Sequence, residues 1–207
     1  MIKAAGPCRG TTASNHTTCL EAMMAKRDDL TAEYVRSILD YDHETGKLTW
    51  RARPIEMFCD GRHPAGDKCS AWNARFAGKE AGSRKTSGYI MVGVDGLLTP
   101  AHRLAWLWMT GAWPKDQIDH INLDKYDNRF TNLRESDQCE NMSNRNAPSH
   151  NTSGYKGVSW HKYMGMWVAR IQTRRKPVVL GYFSSKIEAA AEYQRAAAEL
   201  HGEFARV

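Results

Sequence analysis

Between Tyr155 and Gly202 the chain leaves few folds open. Three runs, YKGVSWH, MWVARIQT and PVVLGYF, are rich in β-branched and aromatic residues and are separated by turn-forming stretches. Ser184 then opens an alanine-rich stretch, Ser185 to Leu200, with Ala189, Ala190, Tyr193, Ala197 and Leu200 at helical spacing and Gly202 as its stop. This order predicts three strands followed by one helix, an α+β module. One sheet face would close on small alanines, leaving the other face with its Arg, Lys and aromatic side chains outward.

The charge of this region is one-sided. From Asn141 through Ile187 there are eight Lys or Arg residues and no Asp or Glu, and residues 151–207 carry nine basic against four acidic residues, a net of +5 out of +6 for the whole chain. Such a face suits a polyphosphate, of which double-stranded DNA is one, with affinity falling steeply as salt rises. Arg145, Lys156, His161, Arg170, Gln172 and Arg174 are its candidate contacts.

Upstream, Gln117 to Asn146 reads QIDHINLDKYDNRFTNLRESDQCENMSNRN. Ile118 to Ile121 is a short β-like run, Asn122 to Asn132 is rich in turn formers, a second short strand falls around Leu133, and Glu135 to Asn146 can continue as a helix. Asp119, His120, Asn128, Asn132 and Asn141 thereby form a spaced set of oxygen donors beside one imidazole. A carboxylate and an amide oxygen suit a hard cation such as Mg²⁺ or Mn²⁺, and neutral His120 can take a proton at physiological pH. Together they make up the equipment for metal-assisted phosphodiester hydrolysis. Asn128 fits an ordinary turn role.

Asp119-His120, the Asp-Asn-Arg at 127–129, the Asn-Leu-Arg at 132–134 and Asn141 resemble the motif of HNH nucleases, in the variant of phage and intron-encoded homing endonucleases. AHRLAWLWMTG, Ala101 to Gly111, resembles the segment preceding that motif, including His102, so the likeness covers about fifty residues. It implies a ββα-metal fold with Asp119 and Asn141 as metal ligands, His120 as general base and Asn132 as the amide bracing the loop. Asn at the last motif position favours Mg²⁺ or Mn²⁺ over zinc. His102, Arg103 and Arg129 join the candidate DNA contacts, although His102 suits a hydrogen-bonded core position equally well.

The C-terminal module resembles the plant Apetala/ethylene-response-factor DNA-binding domain over nearly all of 153–202. Tyr155-Lys-Gly-Val158, Trp167, Ala169, Ile171, Leu180-Gly-Tyr-Phe183, Glu188 to Tyr193 and Leu200-His-Gly202 carry the likeness. It implies a sheet lying in the major groove. Lys156, Arg170 and Ser159 depart from that family's residues, so no sequence preference carries over. Trp167 is assigned to the core, and Trp160 fits either core or base contact.

The domain plan is a tail at 1–27, expected to be disordered, a nuclease domain with an N-terminal extension at 28–147, a linker at 148–154 and a DNA-binding domain at 155–207. Within the extension, Leu30 to Tyr41 predicts a helix capped by Thr31, Asp42 to Gly46 a turn, Lys47 to Arg51 a strand, Ala52 to Ser87 a loop-rich region, and Gly88 to Asp95 a strand. Five cysteines without Cys-x-x-Cys spacing argue against a zinc ribbon or disulfide framework. With no apolar run for a leader or membrane span, the expectation is a cytoplasmic, monomeric, bacterial or phage endonuclease of homing type. The alternatives are a DNA-binding regulator with an inactive nuclease half, and a sequence-indifferent nuclease of phage genome processing.

Overall fold

A computed structural model describes residues 30–206 apart from 87, 174 and 175, so the expected tail at 1–27 and the candidate Arg174 lie outside the described residues. The chain forms two compact units, Met1–Pro114 with Asp124–Leu133, and Lys115–Leu123 with Arg134–Val207. The division does not fall at 148–154. The nuclease motif is instead shared between the units, its loop in one and its strand and helix in the other.

In the first unit, helix α1 (Ala32–Ile38) starts at Thr31, whose hydroxyl accepts the Tyr34 N–H at 3.2 Å. It ends before the expected Tyr41, because Leu39 turns extended and opens strand β1 (Leu39–Asp42), which pairs antiparallel with β2 (Lys47–Trp50). Gly46 closes their turn at φ +74°. A Cβ there would sit 2.4 Å from the Arg129 nitrogen, so only glycine lets this hairpin lie against the 124–133 loop.

The expected loop-rich region at 52–87 contains helix α2 (Ala65–Phe76). Asn73 exchanges two hydrogen bonds with the Arg53 backbone, at 2.8 and 2.9 Å, and Trp72 meets Trp50 edge-on at 5.5 Å. None of its residues is fully buried, so no apolar stripe marked it in the sequence.

Strands β3 (Ser83–Arg84), β4 (Ile90–Val94) and β5 (Leu97–Pro100) form an antiparallel sheet in that order. Asp95 and Gly96 both take positive φ at the β4–β5 turn, as a two-residue hairpin with right-handed twist requires. Helix α3 (Ala101–Thr110) follows and ends at Gly111 in the left-handed region. It packs on α1 and β4. Val35, Ile38, Leu39, Val92, Val94 and Leu104 are completely buried in this unit, each stabilising it by roughly 1.5–3 kcal/mol.

The second unit begins with β6 (Gln117–His120), which pairs with β7 (Leu133–Ser136), and continues into α4 (Gln138–Ser143). Asp137 and Glu140 form a capping box that fixes the start of α4 three residues later than expected. Strands β8 (Val158–His161), β9 (Met166–Gln172) and β10 (Pro177–Phe183) form an antiparallel sheet with β9 central, closed on one face by α5 (Lys186–His201). Val158, Ala169 and Ile171 meet Ala189, Ala190, Tyr193, Ala196 and Ala197 in the core. Leu200, expected in this stripe, is 53% exposed; the buried stripe ends with Ala197, before the last turn of α5.

The segment 148–154 is a hydrogen-bonded turn rather than a slack linker. Asn151 donates to the Tyr155 carbonyl at 2.6 Å, and the buried Ser153 hydroxyl lies 2.8 Å from the Val158 carbonyl and accepts the Tyr155 N–H. Among the described residues no helix is long and apolar enough to cross a membrane.

Candidate active site

Strand β6 shows no alternation where the site begins: Ile118, Asp119 and His120 are all buried. Both faces of the strand are therefore covered, and a carboxylate only 3% exposed needs compensation. Arg134 on the paired strand β7 supplies it, directing Nε (3.0 Å) and Nη2 (2.9 Å) at the single oxygen Oδ2 of Asp119.

Asn144, at the end of α4, supplies the second hold. Its Nδ2 lies 3.0 Å from Asp119 Oδ2, 3.2 Å from Oδ1, and 3.0 Å from the His120 carbonyl, which also accepts the Leu123 N–H. One buried amide thus pins the Asp119-His120 backbone and side chain together. Asn141, on the same helix, donates to Gln117 Oε1 at 2.7 Å and so ties α4 to the start of β6. Strand, strand and helix are joined through these polar contacts.

Asn132 and Asn128 belong to the first unit. Asn132 is buried and donates to the Asp127 carbonyl at 2.8 Å across its own loop. Asn128 is buried, and its carbonyl accepts the Tyr41 hydroxyl at 2.6 Å; burial, then the charge of Asp42, holds that phenol well above its usual pKa, so it remains a donor. His102 is buried on α3 with its ring 5.2 Å from that of Tyr89, and Arg103 lies 5.9 Å over Trp113. Arg129 forks onto Asp127 at 2.8 and 2.6 Å, which pairs its charge within the loop.

On the outer face of the second-unit sheet, Arg170 and Gln172 are exposed, and His161 is half-buried with its ring 5.4 Å from Tyr182. Arg145 is exposed beyond α4. Lys156 departs from its expected outward position: it is half-buried and its ammonium donates to the Ser143 carbonyl at the end of α4. Burial and the nearby Arg206 lower its pKa to about 8. Trp167 packs against the core, and Trp160, 49% exposed, meets it edge-on at 5.2 Å.

Three residues of the cluster carried no expected role: Arg134, Asn144 and Gln117. Arg134 stands in the Asn-Leu-Arg triplet, one residue from the strand start, where a paired strand offers a cation to Asp119. Asn144 lies three residues after Asn141, hence on a neighbouring face of the helix. Their positions could be read from the sequence, but their contacts to Asp119 arise only from strand pairing and the end of α4.

As donors for a divalent ion, Asp119 and Asn141 offer hard oxygens, and among the described residues Asp119 Oδ1 has only the 3.2 Å contact from Asn144. No group of three or more His, Cys, Asp or Glu able to hold a metal exists among the described residues. The chemistry of Asp119 and Asn141 is of the oxygen-donor type suited to an ion that keeps several positions for water and phosphate, and they do not make a closed all-protein cage.

Residues 99–143 match the HNH endonuclease family. This match places an HNH endonuclease domain in the chain, which makes it a nuclease, a phosphodiester hydrolase acting on DNA. It is also 37% identical over 108 residues to Protein 3.8 of Escherichia phage T7, spanning 51% of this chain and 87% of the phage protein, and it belongs to the family of that protein. No solved structure matches it.

Proposed function

We propose that the protein is a divalent-metal-dependent endonuclease of homing type, in which Asp119 and Asn141 hold Mg²⁺ or Mn²⁺, His120 is the general base and the C-terminal sheet is an Apetala-type DNA-binding module. The observation that carries this reading is the buried Asp119-His120 pair on β6, tied to β7 through Arg134 and to α4 through Asn144 and Asn141.

Asp119 presents a carboxylate oriented by Arg134 and Asn144, and an imidazole nitrogen of His120 takes the proton of the attacking water. The water oxygen bonds to phosphorus as the bond to the 3′ oxygen breaks and that oxygen takes a proton from solvent water, leaving 5′-phosphate and 3′-hydroxyl ends. The bound ion supplies charge neutralisation on the phosphate and on the departing oxygen. Asn132 braces the loop between the two strands. Arg170, Gln172, His161 and Arg145 hold the duplex, with Arg103, Arg129 and Arg174 as further contacts, whereas Lys156 is engaged by the Ser143 carbonyl and His102 is buried. In the host cytoplasm a monomer with one site would nick one strand per encounter, whereas a dimer could cut both.

The test is supercoiled plasmid bearing the DNA that flanks the gene, incubated with Mg²⁺ or EDTA, alongside His120→Ala. Nicking at defined positions that EDTA abolishes and His120→Ala loses by at least about 100-fold supports the reading. Binding without nicking under Mg²⁺ and Mn²⁺ would replace it with that of a DNA-binding regulator, and scattered cuts would replace homing with sequence-indifferent cleavage.

A further inference from the structure

Directly after α5 the second unit forms a turn of 3-10 helix, Gly202–Phe204, of which Glu203 and Phe204 belong to no motif identified in the sequence. It meets Arg134, the cation that compensates Asp119. Arg134 Nη1 donates to the Glu203 carbonyl at 2.7 Å, and the guanidinium lies 3.7 Å over the centre of the Phe204 ring. The Glu203 carboxylate is 3.8 Å away and 75% exposed, so the backbone carbonyl and the ring do the holding. Each part of the guanidinium is used: Nη1 on the Glu203 carbonyl, its plane on an aromatic face, Nε and Nη2 on Asp119.

We propose that Arg134 is a positioning residue for Asp119 and that the Gly202–Phe204 turn is the support that fixes Arg134, making the C-terminal segment part of the nuclease site. The detail that favours positioning over mere charge balance is the choice of oxygen. Arginine commonly grips a carboxylate with two parallel bonds, one to each oxygen. Here both nitrogens converge on Oδ2, leaving Oδ1 with one long contact from Asn144. Arg134 thereby orients the carboxylate and leaves Oδ1 with a lone pair for a hard cation, so the guanidinium and the ion take different oxygens. Lysine is no substitute, since a single ammonium has neither the fork nor the flat face that stacks on Phe204.

This inference rests on the reading of Asp119 as a metal ligand, and the experiment separates the two. Full-length parent, Asp119→Ala, Arg134→Lys, Phe204→Leu and Phe204→Ala are compared by calorimetric titration with Mn²⁺, by kcat and KM for plasmid nicking, and by thermal melting. Groups that orient a ligand alter metal affinity or activity by roughly 10–100-fold when lost. The expected result is Mn²⁺ binding weakened about tenfold or more in Arg134→Lys, with kcat reduced and KM for DNA little changed. Phe204→Leu keeps apolar volume, removes the ring, and is expected to move metal affinity and kcat in the same direction by a smaller factor. If parent and Asp119→Ala bind Mn²⁺ alike, the ligand reading fails. If Asp119→Ala abolishes binding while Arg134→Lys and Phe204→Leu match the parent, the positioning role alone is overturned. It is equally overturned if Phe204→Leu and Phe204→Ala lower the melting temperature without changing Mn²⁺ affinity.

Discussion

Gly157 has no room for a side chain. Its φ is +71°, and a Cβ would lie 2.2 Å from the Tyr193 ring and 2.6 Å from the Arg170 carbonyl. Gly157→Ala adds left-handed strain to a collision in the core of the second unit, and is expected to cost at least about 2 kcal/mol in a urea unfolding curve. A loss below roughly 0.5 kcal/mol would mean that Tyr193 moves aside freely. Lys156, the preceding residue, carries a different prediction. Its folded pKa, lowered to about 8 first by burial and then by Arg206, lies below the unfolded lysine value, so between these pKa values the unfolded chain binds more protons. Stability at this site is therefore lowest, and level, below about pH 8, and rises as pH climbs from there towards the unfolded pKa. The difference in melting temperature between the parent and Lys156→Met should shift in the parent's favour between pH 7.5 and 9.5, about the window these pKa values define; a constant difference would show that Lys156 keeps its ordinary pKa. Lysine in the sequence pointed to DNA because charge is legible there, whereas the Ser143 carbonyl that draws it inward is a tertiary contact.

Short elements in this chain are set by their caps and partners more than by propensity. Helix α4 has six residues and carries Asn141, with Asn144 at its end, so it depends on the Asp137–Glu140 box, two reciprocal bonds of 2.8 Å. Asp137→Ala should cost about 1 kcal/mol of stability. Because the helix end holds Asn144 on Asp119, it should also lower kcat for nicking more than KM. Equal kcat for Asp137→Ala and the parent would show that Asn144 keeps its place without the cap. The same dependence explains which elements could be read in advance. The β8–β10 strands and α5 follow strong patterns over many residues, and Asp95-Gly96 is a turn signal that needs no context. By contrast, α1 yields to β1 at Leu39 because β2 offers a ladder, which no local pattern records. Helix α2 hides because its anchors are Trp72 on Trp50 and Asn73 on the Arg53 backbone rather than an apolar stripe. In the site, Asp119, His120 and Asn141 announce themselves by type and spacing. Arg134 and Asn144 matter through strand pairing and a helix end, and their partners become visible only once the chain is folded.

At the scale of the whole molecule, charge and burial part company. The formal charge is +6, of which residues 151–207 supply +5, but basic side chains differ in how far they are free to meet phosphate. Arg145 and Arg170 are exposed, while Arg129 is already forked onto Asp127. Each arginine that neutralises one phosphate contributes about 0.9 to the slope of log affinity against log salt, through release of condensed counterions. Arg145→Gln and Arg170→Gln should each reduce that slope by about 0.9, measured with nicking blocked by EDTA. Arg129→Gln should reduce it by clearly less, because the salt dependence Arg129 would gain on DNA it already spends on Asp127 within the protein. The comparison distinguishes two origins of affinity. If all three substitutions flatten the slope equally, binding follows net charge, and the arrangement of the sheet is incidental. If Arg145 and Arg170 dominate, the outer face of β9 and the segment after α4 form the DNA-binding surface, and the second unit both carries Asp119 and His120 and holds the duplex they act on.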